Sequence, residues 1–348
     1  MREFEWIEWL SSRTAGLDGV SLGIGDDAAV LDQGRFDLVA LDTMVQGVHF
    51  RLDFSSPFDV GWKLLASNLS DIAAMGGRCG PYLLGMSLGK DADEAFIQGF
   101  VQGLEAAAKA LVPGNLSVGP IGGDTTRSPG PTILSLTLLG QSPSKTSAPD
   151  SVSRASSGAV LRSGAKPGHK VGVIGHLGGA AAGLEVLLRD APGQDGPWAN
   201  LVKAHRRPHP WCEMGELLGE LGLASAMLDV SDGLAQDLGH ILKASAVGAR
   251  LELGAVPLMP GVKECAEALG GDALAWACGG GDDYALALTA PPEAVAQIEA
   301  LAAQKGAPVA WIGVCWEPSK GMVWINKAGQ RVQPGAQGYE HTFGDKST

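Results

Sequence analysis

The sequence predicts a two-domain protein of the α/β class, with strands and helices in α+β layers. Three observations carry that expectation. The chain has 348 residues, enough for two domains with substantial cores. Both halves alternate short apolar runs of strand length with longer helical segments able to cover one face of a sheet. Between the halves, residues 142–158 form a polar Ser/Pro-rich stretch that reads as a linker. The expected division is 1–141, a linker over 142–158, and 159–348.

Each element has a local reason. Phe4, Ile7 and Leu10 make one face of a short N-terminal helix. Val20–Ile24 and Phe36–Leu41 read as strands, the first followed by the turn Gly25-Asp26-Asp27 and the second ended by Asp42. Ser55-Ser56-Pro57 starts a helix, with Pro at its first position, that runs to about Met75 and stops at Gly76-Gly77. Ser67 and Asp71 are four apart and share a face of it. Tyr82–Leu88 is a strand, and Asp91-x-x-Glu94 resembles a capping box for a helix reaching about Leu111. A strand toward Ile121, a loop at Gly122-Gly123-Asp124-Thr125-Thr126 and a strand over Thr132–Leu139 follow. In the second half, strands are expected at Lys170–Ile174, Ala226–Val230, Arg250–Leu253, Tyr284–Leu288, Val309–Val314 and Met322–Ile325. Helices are expected at Gly178–Leu188 and Leu234–Ala244.

Composition excludes several classes. There are 26 Lys and Arg against 38 Asp and Glu, a net charge of −12, and no basic block, so nucleic acid is not an expected partner. No apolar run reaches the ~18 residues of a membrane span. The opening Met1-Arg2-Glu3-Phe4-Glu5 is acidic where an export signal is basic and then apolar, which points to a cytoplasmic protein. Five widely spaced cysteines without a C-x-x-C suit reduced, buried thiols. There is no P-loop and no G-x-S-x-G elbow, and the glycines at 172, 175, 178 and 179 lack the dinucleotide order.

What recurs is aspartate at the end of apolar or glycine-rich segments: Asp26-Asp27, Asp42, Asp71, Asp124, Asp229, Asp232 and Asp282-Asp283. A turn or cap role accounts for any one of them. Together they repel unless a cation intervenes, and oxygen donors suit hard divalent cations. His49 follows the Asp42 strand, and Arg127, Arg162, Lys166, Arg206 and Arg207 are the cations beside distinctive segments.

These segments also occur in a recognisable order. GIGDDAAVL, LDTMVQGVHF, ASNLSDIAAMGG, IGGDTTRSPG, LRSGAKPG, LDVSDGLAQDLGHILKASAVGA and GGGDDYAL resemble the thiamine-monophosphate kinases, of the aminoimidazole-ribonucleotide-synthetase-like ATP-binding superfamily. The resemblance covers nearly the whole chain. It implies a homodimer whose N-terminal sheets pair, a C-terminal domain closing over the site, and transfer of the ATP γ-phosphate to thiamine monophosphate. By the same resemblance Asp27, Asp42, Asp71, Asp124 and Asp229 are magnesium ligands and Asp232 binds another magnesium. Gly123, Asp124, Arg162 and Ser231 contact ATP, and His49, Asp282 and Tyr339 approach the thiamine phosphate. The chain departs from the family at Ala40-Leu41, where Ser/Thr-Thr is usual, at Asp282, where Glu is usual, and in the long 142–158 segment. A nucleotide- or metal-binding regulator and another ATP-dependent enzyme of the superfamily are the other classes to weigh; ATP use dependent on thiamine monophosphate separates them.

Overall fold

A computed structural model describes residues 20–22, 26, 28–31, 35–112, 118–143, 158–189, 196–335 and 338. The expected helix around Phe4–Leu10, Asp27, most of the Ser-rich segment and Tyr339 lie outside the described residues.

The first half is a six-stranded sheet covered on one face by two helices. In chain order the elements are β1 Val20–Leu22, β2 Ala29–Leu31, β3 Leu38–Val45, helix α1 Pro57–Ala74, β4 Arg78–Leu88, α2 Glu94–Leu111, β5 Pro120–Arg127 and β6 Ile133–Gln141. The sheet order is β1-β2-β3-β6-β4-β5. All neighbours are antiparallel except β4 and β5, which run parallel. Helix α1 begins as expected: Ser56 and Asp59 form a reciprocal capping box, with Pro57 at the first position. Its Leu64, Leu65, Leu69 and Ile72 pack on Leu38, Leu134, Leu136 and Leu138 of the sheet.

Three expectations need correcting. The strand thought to end before Asp42 continues through Val45, so Asp42 lies inside β3. With a period of two, Asp42 shares the inner face with Leu38, Ala40 and Met44. The Gly122–Thr126 segment is not a loop but part of β5, at the edge of the sheet. A Cβ on Gly123 would stand 2.0 Å from the Leu84 carbonyl oxygen, so only glycine lets β5 lie this close to β4. The second helix is capped by Asp93, whose side chain accepts from Phe96 N–H, and not by Asp91.

The second half builds a seven-stranded sheet. Its elements are β7 Lys170–Ile174, α3 Gly179–Leu188, α4 Ala199–Arg206, α5 Cys212–Leu221, β8 Ala226–Val230, α6 Leu234–Ala244, β9 Gly248–Glu252, α7 Val262–Leu269, α8 Ala273–Gly279, β10 Ala285–Ala290, α9 Val295–Lys305, β11 Val309–Trp316, β12 Met322–Ile325 and β13 Arg331–Val332. The order is β13-β12-β9-β11-β7-β10-β8. Strand β10, next to the edge strand β8, is buried along its whole length, as a strand covered on both faces must be.

Helix α1 joins the halves. Gly215 and Gly219 of α5 approach it so closely that a Cβ would lie 2.3 Å from the Ala73 carbonyl oxygen and 2.2 Å from that of Gly76. Trp62 Nε1 donates to the Pro208 carbonyl at 2.9 Å, and Arg207 pairs with Asp59. Cys79 and Cys212 direct their thiols at the same Leu69 carbonyl, and all five cysteines are free and buried. Among the described residues no helix is long and apolar enough to cross a membrane.

Candidate active site

Between the two halves lies a cavity of about 650 Å³. Its oxygen-rich wall includes Asp42, Ser67, Ser231, Asp232 and Asp282, and its apolar wall includes Phe54, Leu184, Leu188 and Trp276. Each half contributes to both walls.

The acids arrive by different routes. Asp42 projects from the inner face of β3 toward α1. Burial raises its carboxyl above the ordinary value; the Ser67 hydroxyl favours the ionised form, and the Asp282 charge opposes it. Asp229 is buried at the end of β8, followed by Ser231 and Asp232 at the start of α6. Gln236 donates to Asp232 Oδ2 at 3.2 Å, and Asp237 accepts the backbone N–H groups of Asp232 and Gly233. Asp282 accepts from Lys63 Nζ at 2.6 Å and from the Tyr284 hydroxyl at 3.0 Å. Burial alone would raise the Asp282 carboxyl; the Lys63 ammonium and the tyrosine hydroxyl hold it below the usual carboxylate range. The phenol of Tyr284 is pushed far up by burial and by the charges of Asp282, Asp42 and Asp229, so it stays a donor. Three carboxylates from three segments thus act on one hydroxyl.

His49 lines the cavity and accepts the Val45 N–H on Nδ1 at 3.0 Å, which leaves the ring proton on Nε2. Asp71 sits one turn beyond Ser67 on α1 and is not part of the cavity lining. Gly123 and Asp124 stand on exposed β5, also outside the lining. Arg162 lies outside it too; its backbone N–H donates to Asp26 Oδ2 at 3.0 Å and its Nε is 3.6 Å from Oδ1. Gly338, the residue before Tyr339, abuts the side chain of Gln236. Of the Ala40-Leu41 departure from the family pattern, Leu41 points onto the outer sheet face and is 62% exposed, while Ala40 shares the inner face with Asp42 but is not among the cavity lining.

Among the described residues no three His, Cys, Asp or Glu side chains are grouped tightly enough to hold an ion by themselves. The donors are oxygen atoms throughout. Magnesium commonly uses one or two carboxylates plus substrate phosphates and water, so this open set fits a cation that arrives with a nucleotide.

Several site residues escaped the reading of the sequence. Lys63 precedes Ser67 by four residues on the same helical face, a spacing that would have found it. His205, Phe54 and Trp276 carry no such local signal. Asp283 caps α3, accepting from Gly178 N–H at 2.6 Å and Ala180 N–H at 3.1 Å.

The fold defines the class. Residues 25–142 match the family described as AIR synthase related protein, N-terminal domain, and residues 166–324 match the AIR synthase related protein, C-terminal domain. The thiamine-monophosphate kinase of Escherichia coli K12 is 37% identical over 334 residues, covering 94% of each chain. A solved structure of AaThiL complexed with AMPPCP and TMP superposes with a TM-score of 0.80 at 27% identity, covering 98% of this chain and 97% of that one. The crystal structure of thiamine-monophosphate kinase from Stenotrophomonas maltophilia K279a gives 0.72 at 34% identity, over 95% and 98%. The chain belongs to the thiamine-monophosphate kinase family and is an enzyme of that family.

Proposed function

We propose that this protein transfers the γ-phosphate of ATP to thiamine monophosphate, giving thiamine diphosphate. The observation that carries the reading is the cavity itself: apolar and aromatic side chains and carboxylates, drawn from both domains, line one space at their junction. That pairing suits an acceptor with a ring at one end and a phosphate at the other. A relative of the same fold is described with an ATP analogue and TMP.

The acceptor phosphate is an anionic nucleophile already, so no Ser, Cys or His is required to activate it, and transfer is direct and in line. Catalysis is then positioning and charge neutralisation. Magnesium, when bound, offsets the repulsion between carboxylates and phosphates and polarises the transferred group. Asp42 and Asp232 would hold it at the cavity, and Asp27, Asp71, Asp124 and the buried Asp229 are assigned as further ligands by the family pattern. Strand β5 is three strand spacings from β3, about 14 Å at ~4.8 Å each. That distance exceeds a triphosphate alone and suits a whole ATP, and the family pattern assigns ATP to Gly123, Asp124, Arg162 and Ser231. His49, Asp282 and Tyr339 are assigned to the thiamine phosphate. The outer face of the N-terminal sheet exposes Leu41, Leu83 and Ile121, which supports the reading that this sheet pairs in a homodimer.

The test is chromatographic product analysis with ATP, magnesium and either thiamine monophosphate or thiamine. Thiamine diphosphate should form from the monophosphate, stop on chelation of the metal, and leave no acid-stable phosphate on the protein. Comparable phosphorylation of free thiamine, or ATP consumption independent of either acceptor, would overturn the reading.

A further inference from the structure

One deeply buried ammonium, that of Lys63, is among the groups lining the cavity. The Phe54 and His205 rings lie 6.3 Å apart, centroid to centroid, and His205 in turn feels the Lys63 charge. Lys63 bonds Asp282, Asp282 bonds Tyr284, and Tyr284 feels Asp42 and Asp229. This is a connected path from the aromatic side to the acidic side, with Lys63 near its middle. The Lys63 side chain is 6% exposed and crosses from α1 of the first domain to the second. Among the described residues Asp282 accepts one of its three N–H bonds and no other acceptor is present for the remaining two. The other strong cation of the lining, Arg51, is half-exposed and held by Asp53.

We propose that Lys63 recognises the phosphate of the acceptor and so sets the preference for a phosphate monoester over the matching alcohol. The inference rests on the function proposed above and assigns a residue of that site. A ring against Phe54, Leu184 and Trp276 places its phosphate at the ammonium, with the acids and the nucleotide beyond. Asp282 pairs with the buried ammonium and aims it, because an unpaired buried cation is costly. The phosphate oxygens complete the two remaining N–H bonds with charge-assisted hydrogen bonds. An alcohol leaves those donors unmet, and a site built to bind a polar group discriminates strongly against an analogue that lacks it. The competing explanation is that the pair only bolts the domains together.

Calorimetric titration of the full-length protein with thiamine monophosphate and with thiamine, in magnesium without ATP, separates the two. The wild type should prefer the monophosphate by about 10- to 100-fold, the scale of one or two charge-assisted hydrogen bonds. Lys63→Met should bring that ratio to within a few-fold of one by weakening monophosphate binding far more than thiamine binding, and Lys63→Arg, which keeps the charge, should retain a preference. A mere bolt predicts that both substitutions change both ligands alike. Lys63→Met combined with Asp282→Asn leaves no unpaired buried carboxylate and carries the test if the single variant does not fold; it must lose the preference too. A preference retained without the Lys63 charge, or monophosphate and thiamine binding weakened in equal measure by Lys63→Met, overturns the assignment while the function stands. A wild type with no preference for the monophosphate overturns both.

Discussion

Acidification from about pH 6.5 to pH 5 should weaken this protein through His205, by an amount its surroundings set. The ring is 7% exposed. Burial, followed by the neighbouring Lys63 charge, lowers its pKa from 6.5 to about 3, with Asp282 acting in the opposite sense. In the folded protein the imidazole therefore stays neutral at pH 5, whereas in the unfolded chain it takes up a proton near ~6.5. Below that value the unfolded state binds the extra proton, so stability falls as pH falls, until the folded value of about 3 is reached. The loss is ~1.4 kcal/mol per pH unit, or ~2 kcal/mol between pH 6.5 and 5. The assay is equilibrium urea unfolding at several pH values for the wild type and His205→Phe, a ring of similar size that does not titrate. Carboxylates and the burial-lowered His169, His176 and His209 are common to both proteins. The difference isolates His205: the wild type should lose ~2 kcal/mol more than the variant over this interval. Parallel curves would show that His205 titrates alike in both states, and would remove the case for a neutral ring beside Lys63.

Two further outcomes follow from packing. Gly219→Ala drives a Cβ into the Gly76 backbone and should lower stability by about 1–3 kcal/mol in thermal unfolding, whereas Gly239→Ala, with open space around it on α6, should raise it by roughly 0.5–1 kcal/mol. Equal effects would refute the close α1–α5 contact. If the N-terminal sheets pair, Leu41→Asp and Ile121→Asp should convert a wild-type dimer to monomer in analytical ultracentrifugation; a wild type that is monomeric at micromolar concentration would refute the pairing.

Much of the fold was legible because its signals are local. Helix α1 was bounded to within a residue by Pro57 at its start and Gly76-Gly77 beyond its end. The errors came where tertiary packing overrode a local signal. A carboxylate normally argues against a strand's buried face, yet Asp42 occupies one because Ser67 of α1 and the cavity receive it. Consecutive glycines suggested a loop at 122–126, yet the missing Cβ of Gly123 is what lets that segment join the sheet. Asp91 and Asp93 precede the same helix, and a pattern read from Glu94 favoured the wrong one. Helices α4, α5, α7, α8 and α9 were not anticipated; the first four have only seven to ten residues, few turns for a period to show. In the site, Asp42, Asp232, Asp282, Ser231 and His49 do line one cavity. Lys63 was missed as a member: its place one turn before Ser67 on α1 was the local signal, while its partner lies 219 residues away.

The adjacent acids Asp282 and Asp283 explain how a repulsive pair can be kept at the centre of such a site. Asp282 and Tyr284 both have left-handed backbones, with φ of 68° and 49°, conformations that cost about 1–2 kcal/mol apiece for non-glycine residues. This tight turn sends consecutive side chains to different tasks. Asp282 faces the cavity and pairs with Lys63, while Asp283 takes the Gly178 and Ala180 N–H groups at the start of α3. Burial raises the Asp283 carboxyl to about 7, and the backbone N–H groups act in the opposite sense. The helix N-terminus is thus occupied by the protein's own carboxyl group and is not open to a phosphate. Among the described residues lining the cavity, that leaves the Lys63 ammonium as the deeply buried positive charge toward which an incoming phosphate is drawn. The strain of the turn is offset by what it separates: one acid fixes the scaffold, and its neighbour holds the cation in place.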